Sequence, residues 1–252
     1  MDCEYNPLPL EKSRLDTFKS LLKQKGLRGY SVTMPHKQNI IPYLDELTER
    51  ANVMQSVNHV YQNRDKWIGD SVDGAGILGA AAAIGISLQR RNALILGCGG
   101  AARSAAYYLG QMAERVTILG RNAGKAKKTA EQIRSHVKCR MDFHVMPSLH
   151  EISPEYDFIV NTTPLGMKGY DKFQSFSWIE QLKKNTIICD LVYEPSETDL
   201  LACARKHGLK TITGIEVLIH QAYAQFFNWT GTAVDEEADT AVRNVLSERV
   251  KK

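Results

Sequence analysis

The chain has 252 residues, of which 43% are hydrophobic and 24% charged, so it is long enough for one large or two modest globular domains. Lysine and arginine number 32 against 28 aspartates and glutamates, and the net charge of +4 is too small to indicate a nucleic-acid partner. No apolar run approaches the roughly 20 residues of a membrane span, so no membrane partner is predicted. The five cysteines are scattered without a CxxC pair, which indicates neither disulfides nor a metal site and favours a reducing cytoplasm.

The N-terminal third is predicted to form short helices and strands ahead of a longer helix. YSVTMPHK at positions 30–37 alternates apolar and polar side chains as a half-buried strand does. Pro35 ends that strand, because proline has no N–H to donate and its φ is fixed. SVNHVYQ and KWIGD read as two further strands joined by a polar turn. The helices expected in this part of the chain cover 10–26, 37–47, 48–55 and 73–88.

From Arg91 onward, apolar strands alternate with helices. NALILG at 92–97 is a continuous apolar run, which is typical of a strand buried on both faces of a parallel sheet. Further strands are expected over 116–121, 143–146, 157–164, 186–193 and 209–214, and helices over 98–113, 124–137, 174–182, 199–208, 215–231 and 234–252. This alternation predicts βαβ units, and therefore an α/β fold with a doubly wound, Rossmann-like sheet.

A glycine-rich turn, GCGGAA at 97–102, lies between an apolar strand and a helix and satisfies the pattern G-x-G-x-x-G/A. The first glycine permits a tight turn, the second lets the backbone approach a pyrophosphate, and the helix N-terminus faces the phosphate charge. Cys98 occupies the variable position and is interpreted as filler. The alternative is a glycine turn that serves packing only. The residues predicted to contact a dinucleotide are Gly97, Gly99, Gly100, Ala101 and Ala102.

Basic residues follow the next strand, at the position where a dinucleotide site selects between NAD and NADP. An NAD site normally offers an acidic residue about 20 positions after the glycine turn, which binds the ribose hydroxyls. This chain has Arg121 there, with Asn122 and Lys125 beside it, and cationic groups suit a 2′-phosphate. The sequence therefore predicts NADP as the cofactor, while a solvated helix face explains Lys127 and Lys128.

Several motifs in fixed order resemble those of the shikimate dehydrogenase family. The resemblance runs from about Ser31 to Gly231 and is far more specific than the glycine turn alone. The motifs are SVTMPHK (31–37), the Val-Asn pair at 57–58, GDSVDG (69–74), GCGGAAR (97–103), GRN (120–122), NTTPLGM (161–167), DLVYEPSETDLL (190–201) and GIEVLIHQAYAQFFNWTG (214–231).

The resemblance implies an NADP-dependent oxidoreductase that interconverts 3-dehydroshikimate and shikimate in aromatic amino-acid biosynthesis. It also implies two α/β domains with a cleft between them. The substrate domain is expected over 1–86, completed by helices in 216–252, and the Rossmann-like NADP domain over 87–215. A small-molecule substrate is the expected partner, and no metal is expected.

By the same resemblance, Lys37 and Asp73 are the catalytic pair. Reduction of a ring ketone needs a proton and a nearby positive charge for the developing alkoxide, and lysine supplies both. His36 is expected to be a surface residue, because adjacent side chains of an extended segment point to opposite sides. The substrate is expected to contact Ser31, Thr33, Asn58, Tyr193 and Gln221, and the cofactor to contact Asn161, Thr162, Met167 and Gly214. Ordinary structural roles remain open for Thr33 in a strand, Asn58 in a turn, Gln221 on a solvated helix face and Asp70 as a capping or solvent-facing acid.

The sequence also departs from the family pattern. Family members open with a strand–helix unit carrying an HSxSP motif for the substrate carboxylate, and CEYNPLPL here corresponds to the usual second strand. Ser31 replaces the usual asparagine, His59 follows Asn58 in place of threonine, and Ser71-Val72 replaces Asn-Thr. Because an unpartnered buried carboxylate costs several kcal/mol, three explanations stay open: a chain start inside the domain, a homodimer or partner segment completing the sheet, or an altered substrate.

Two other functions remain open at this point. One keeps the chemistry but uses quinate as substrate and accepts NAD. The other is a catalytically weak ligand-binding or regulatory relative with the same fold. Retention of both Lys37 and Asp73 argues against the second, because a pure binding module has no need of the pair.

Overall fold

The computed structural model of the chain describes residues 4–17, 20, 27–145, 152–153 and 155–250. The strands are β1 (Gly29–Ser31), β2 (Glu46–Leu47), β3 (His59–Asn63), β4 (Lys66–Asp70), β5 (Asn92–Leu96), β6 (Arg115–Gly120), β7 (Arg140–Val145), β8 (Phe158–Asn161), β9 (Ile187–Asp190) and β10 (Lys210–Ile212). The helices are α1 (Glu49–Met54), α2 (Asp73–Ala83), α3 (Gly100–Gly110), α4 (Ala123–Arg134), α5 (Asp199–Lys206), α6 (Gly214–Thr230) and α7 (Glu236–Val250).

The larger sheet has six parallel strands in the order β10-β9-β8-β5-β6-β7. Its central strand β5 is apolar and buried from Ala93 to Leu96, because helices cover both faces. Ala93 and Ile95 pack in the core that holds α3 and α4, whereas Leu94 and Leu96 pack with Trp178 and α5 on the opposite face. This period-2 division of one strand between two cores is the doubly wound arrangement that the sequence predicts.

The smaller sheet has four strands in the order β1-β3-β4-β2. Strands β3 and β4 form an antiparallel hairpin in the register Asn63↔Lys66, so the turn is the two residues Arg64 and Asp65. Strand β1 pairs antiparallel with β3, and Ser31 lies opposite His59. Helix α1 begins after Thr48, whose Oγ1 accepts a hydrogen bond from the N–H of Ala51 at 3.3 Å. Such a cap satisfies one of the helix's unpaired N–H groups.

Helices α2 and α6 pack closely because α2 presents glycines to α6. A Cβ atom on Gly76 would lie 2.5 Å from the carbonyl oxygen of Val217, and one on Gly79 would lie 2.9 Å from Cβ of His220. A Cβ atom on Gly74 would likewise lie 2.6 Å from the carbonyl oxygen of Ser104 in α3. Helix α2 therefore bridges α6 and α3, the first helix of the larger sheet.

Several predicted elements are shorter than the sequence indicates, among them the strands expected over 157–164 and 186–193, which are β8 and β9. Strand β1 ends at Ser31, because the chain enters a turn in which His36 N–H bonds to Thr33 O at 2.9 Å, and Met34 is exposed. Helix α2 ends at Ala83, and Gly85 follows with a φ of +69°. The helical segments expected over 37–47 and 174–182 are the 3-10 helices Ile41–Tyr43 and Ser177–Gln181.

The N-terminal segment also differs from expectation. Residues 4–11 form no helix or strand, and Pro7 and Pro9 explain this because they remove two backbone donors from any ladder. Of the helix expected over 10–26, the structure describes residues 10–17 and 20, and Lys12–Thr17 form a 3-10 helix whose Leu15 is buried. Phe18, Leu21 and Leu22 of that helix lie outside the described residues, as does Met146 of the strand expected over 143–146.

Candidate active site

Lys37 and Asp73 form an ion pair in which Nζ lies 2.7 Å from Oδ2. Asp73 is the first residue of α2, where the positive end of the helix dipole stabilises a carboxylate. Its side chain is 4% exposed and that of Lys37 is 21% exposed, so the pair is accessible from the lysine side. The carbonyl of Lys37 accepts the N–H of Val57 at 2.7 Å, which fixes the lysine backbone after the turn.

Asn58 holds the second oxygen of the same carboxylate. Its Nδ2 donates to Oδ1 of Asp73 at 2.7 Å, and its Oδ1 accepts the N–H of Val72 at 2.7 Å. Asn58 is fully buried. The side chain predicted to contact a substrate therefore orients Asp73, and both carboxylate oxygens have a hydrogen-bond donor.

Gln225 belongs to this cluster, although none of the sequence motifs indicates it. Its Nε2 donates to the carbonyl of Asn58 at 2.9 Å, and its Oε1 accepts from Oγ of Ser31 at 2.6 Å. The available signal was the spacing from Gln221, because residues four apart share one face of a helix. Ser31 thus joins the cluster through α6.

The remaining predicted substrate residues lie outside this hydrogen-bonded cluster. Thr33 and Tyr193 are exposed, and Gln221 is half-buried on α6 beside Gly76. Within the part of the chain that the structure describes, no side-chain hydrogen bond joins Thr33, Gln221 or Tyr193 to Lys37 or Asp73. Their polar groups are therefore available to a ligand.

The glycine turn provides a phosphate cradle between β5 and α3. Gly97 has a φ of +117°, and a Cβ there would lie 2.6 Å from Oγ1 of Thr162, so both conformation and space require glycine. A Cβ on Gly99 would meet no atom within 4 Å, which leaves the open side that a pyrophosphate needs. Gly99 precedes α3 without a side-chain cap, so the first N–H groups of the helix face this space. Ala101 is half-buried and Ala102 fully buried.

The phosphate cradle lies directly beside the lysine. A Cβ atom on Gly100 would lie 3.5 Å from Cβ of Lys37 and 2.7 Å from Oγ of Ser56. Further along α3, Oγ of Ser104 accepts the N–H of Gly74, next to Asp73, at 2.9 Å. Helix α3 therefore contacts the segments on both sides of the Lys37–Asp73 pair.

Three polar residues at the end of β6 are exposed beside this cradle. Arg121, Asn122 and Lys125 are all accessible. Oδ1 of Asn122 accepts the N–H of Lys125 at 2.9 Å and so caps α4. Two accessible cations at a capped helix start suit a phosphate group, and this observation supports a fit to NADP.

Asn161 and Thr162 support the cradle from within. Asn161 is fully buried. Its Oδ1 accepts hydrogen bonds from the backbone N–H and the hydroxyl group of Thr163, and its Nδ2 donates to Asp190 at 2.9 Å. Burial raises the pKa of the Asp190 carboxyl despite its hydrogen bonds from Thr198, Val192 and Asn161. Oγ1 of Thr162 donates to the carbonyl of Leu96, before the first glycine, at 2.7 Å.

Gly214 and Met167 lie at the two other predicted cofactor positions. A Cβ on Gly214 would lie 2.3 Å from the carbonyl oxygen of Val192, so α6 begins where only glycine fits. Met167 is half-buried in a turn, and its N–H bonds to Pro164 O at 3.0 Å.

Two titratable residues near the pair differ from expectation. His36, expected to be a surface residue, is half-buried, and its Nε2 shares a hydrogen bond with the carbonyl of Leu10 at 2.8 Å. Asp70 is neither a helix cap nor solvent-facing, because it is 1% exposed and paired with Arg50. Burial opposes its ionisation, but hydrogen bonds from Arg50 and Thr48 outweigh burial and hold the pKa of the Asp70 carboxyl below its usual value. Neither side chain forms a hydrogen bond with the Lys37 side chain.

His59 is fully buried beside Asn58, and neither ring nitrogen has a hydrogen-bond partner among the described residues. It packs against the rings of Tyr61 and Trp229, at centroid distances of 5.5 and 4.8 Å. Burial lowers the pKa of His59 to about 4, against a weaker opposing effect of Asp70. The imidazole is therefore neutral in the folded protein at physiological pH.

We expect stability to fall as the pH decreases from about 6.5 towards 4, and His59→Phe to make that fall shallower. In this window the unfolded chain binds a proton at His59 and the folded chain does not, which costs up to about 1.4 kcal/mol per pH unit. Urea unfolding across this pH range measures the slope. His144→Phe, at an exposed position of β7, is the control. Equal slopes for wild type and His59→Phe would contradict the assignment.

No described helix is both long and apolar enough to cross a bilayer. Among the described residues, no group of three or more histidine, cysteine, aspartate or glutamate side chains is placed to hold a metal ion.

The doubly wound sheet, its open glycine cradle and the adjoining second sheet define a two-domain α/β protein of the Rossmann-like, dinucleotide-binding class. Comparison with known proteins identifies the family within this class. The family model for the shikimate dehydrogenase substrate binding domain matches residues 1–60, that for shikimate / quinate 5-dehydrogenase matches 80–191, and that for the shikimate 5′-dehydrogenase C-terminal domain matches 214–242. The chain is 36% identical over 249 residues to the shikimate dehydrogenase (NADP(+)) of Maridesulfovibrio salexigens, covering 98% of this chain and 86% of the relative. The chain belongs to the shikimate dehydrogenase family.

Solved structures of a shikimate dehydrogenase and a quinate dehydrogenase are also similar to this chain. A shikimate dehydrogenase in complex with NADP+ is 30% identical, with a TM-score of 0.83, covering 98% of this chain and 84% of that chain. The quinate dehydrogenase of Corynebacterium glutamicum in complex with NAD is 26% identical, with a TM-score of 0.78, covering 94% of this chain and 82% of that chain. The family therefore includes enzymes named for either substrate.

Proposed function

We propose that this chain is an NADP-dependent oxidoreductase that interconverts 3-dehydroshikimate and shikimate in aromatic amino-acid biosynthesis. The observation that carries the proposal is the Lys37–Asp73 pair, with Nζ 2.7 Å from Oδ2, beside the glycine cradle. This arrangement brings a proton donor next to the dinucleotide site. Similarity to relatives named as NADP-dependent shikimate dehydrogenases supports the same substrate and cofactor.

Lys37 acts at the oxygen of the reacting carbon. NADPH, when bound, supplies the hydride for reduction of the ring ketone. The Lys37 ammonium donates a proton to the developing alkoxide and stabilises its charge, and in the reverse direction neutral Lys37 accepts the hydroxyl proton. Asp73 orients the ammonium, while Asn58 keeps the carboxylate in place. The first N–H groups of α3 bind the pyrophosphate, and Arg121 with Lys125 binds the 2′-phosphate.

We assign the remaining residues to the two ligands by their exposure and neighbours. Thr33, Gln221 and Tyr193 contact the substrate's hydroxyl groups, and Oγ of Ser31 is a further acceptor because its proton goes to Gln225. Asn161 and Thr162 act indirectly, by holding the loop that follows β8. The Asn161 side chain accepts the N–H of Thr163 in that loop, and the Thr162 hydroxyl donates to Leu96 of β5. Met167 and Gly214 line the cofactor side.

We propose a division into two domains, which the two separate sheets support. Residues 1–86 and 216–252 form the substrate domain, because α6 packs on α2 and its Gln225 bonds to Asn58. Residues 87–215 form the NADP domain around the six-stranded sheet. In this division the Lys37–Asp73 pair belongs to the substrate domain and lies beside Gly100 of the NADP domain.

A spectrophotometric assay of NADPH formation tests the proposal. Wild-type protein is expected to turn over shikimate with NADP faster than quinate with NADP, and faster than either substrate with NAD. Preference for quinate with NAD would establish the alternative dehydrogenase function. Binding without turnover in every combination would instead establish a ligand-binding or regulatory protein.

We expect Arg121→Ala to weaken the binding of NADP at least about tenfold more than the binding of NAD. An arginine that binds the 2′-phosphate makes a charge-assisted contact that NAD does not offer, worth about 1.5–3 kcal/mol. Fluorescence titration with both dinucleotides measures the two affinities, and Lys127→Ala at an exposed position of α4 is the control. Equal losses for NADP and NAD would mean that Arg121 only positions the loop.

A further inference from the structure

Gln225 is a buried glutamine of α6, and both the nitrogen and the oxygen of its carboxamide form hydrogen bonds. It is 3% exposed, and its two hydrogen bonds link β1 and the residue before β3: Nε2 to Asn58 O at 2.9 Å and Oε1 from Ser31 Oγ at 2.6 Å. A buried polar group left without its partner destabilises the fold, so these bonds favour one orientation of the residues they join.

Asn58 has hydrogen bonds at its backbone as well as at its side chain. Its N–H donates to the carbonyl of Asp70 at 3.0 Å, and its carbonyl accepts the N–H of Val32 at 2.9 Å in addition to Nε2 of Gln225. The carbonyl therefore has a donor from β1's end and a donor from α6. Of these two contacts, only the one from Gln225 comes from a side chain.

We infer that Gln225 is a positioning residue for the proton-transfer pair, because it holds Asn58, Asn58 holds Asp73, and Asp73 orients Lys37. The inference rests on the proposed function, since it is the proton transfer at Lys37 that the network serves. Ser31 completes the device by fixing the orientation of the Gln225 carboxamide: with Oε1 accepting from the hydroxyl, Nε2 is the atom directed at the Asn58 carbonyl.

The network predicts a specific signature for substitutions at position 225. Leucine removes both hydrogen bonds at similar volume. Glutamate keeps an acceptor for Ser31, but its ionised form has no proton to donate to the Asn58 carbonyl, whereas its protonated form donates through O–H. A positioning role therefore makes the loss in Gln225→Glu depend on pH, and the loss in Gln225→Leu independent of it.

The experiment measures kcat and KM for shikimate, the NADP affinity, and the midpoint of thermal unfolding for both variants. We expect Gln225→Leu to lower kcat about tenfold, with KM changed less than about threefold and NADP affinity unchanged. We expect the kcat of Gln225→Glu, relative to wild type, to increase as the pH is lowered. Gln111→Leu is the matched control, because Nε2 of Gln111 also donates to a backbone carbonyl, that of His136 at 2.9 Å, in the other domain.

A crystal structure of Gln225→Leu provides a readout that needs no activity. We expect the Asn58 Nδ2–Asp73 Oδ1 bond, 2.7 Å in the wild type, to be broken. Retention of that bond, or a kcat within about twofold of wild type, would overturn the inference while leaving the proposed function intact. Absence of turnover in the wild type would contradict the proposed function, and the crystal structure alone would then decide the role of Gln225.

Discussion

Replacing Lys37 by alanine is expected to lower kcat for shikimate oxidation at least about 100-fold, with a smaller change in KM. The ammonium is the group that exchanges a proton with the substrate oxygen, and alanine leaves the alkoxide without a proton donor or a counter-charge. The substrate's other contacts remain, so binding in the ground state changes less than the transition state. Steady-state kinetics with NADP in excess measure both parameters.

The chain offers a matched control for this substitution. Lys172 pairs with Asp199 at 3.0 Å, and Asp199 is the first residue of α5 just as Asp73 is the first residue of α2. That pair is exposed, with side-chain exposures of 75% and 61%. Lys172→Ala is expected to leave kcat unchanged. A kcat for Lys37→Ala within about threefold of wild type would remove Lys37 from the proton-transfer role.

Asp73→Asn is expected to lower kcat by about 100-fold as well, since the carboxamide keeps the size of the side chain but removes its charge. Lys37 then lacks the partner that holds Nζ at 2.7 Å, and Asn58 faces a group that is no longer a pure acceptor. Kinetics of the variant, with Asp199→Asn as control, measure the loss.

The two substitutions are also expected to be non-additive. Residues that act as a unit in catalysis give single losses that do not sum, because either change already disables the step. The Lys37→Ala/Asp73→Asn protein should therefore have a kcat close to that of the slower single variant. A double variant about 10,000-fold slower than wild type would mean that the two residues act independently.

The larger sheet and the glycine cradle follow closely from the sequence. A continuous apolar strand followed by GCGGAA has few alternatives, because burial on both faces and the glycine spacing indicate the same unit. The strand ending before Lys37 was predicted three residues too long. Alternation of side chains continues through Met34, but the turn after Ser31 is determined by hydrogen bonds such as His36 N–H to Thr33 O, which periodicity does not reveal.

Local sequence patterns did not predict the contacts between segments that are distant along the chain. Helical spacing indicates that Gln221 and Gln225 share a face of α6, but it does not indicate which of them reaches Asn58, 167 positions earlier. The Arg50–Asp70 pair has the same cause, since its partners come from α1 and β4. The pairing of Lys37 with Asp73 followed from family resemblance, and their proximity is visible only in the folded chain.

Hydride transfer is measured with shikimate deuterated at the carbon whose hydroxyl is oxidised. Mass spectrometry of the reduced dinucleotide reports the transfer itself and distinguishes it from binding. We predict deuterium in the NADPH formed by the wild-type protein, and at least about 100-fold slower appearance with Lys37→Ala. Reduced dinucleotide without deuterium, or equal rates for the two proteins, would contradict the proposed reaction.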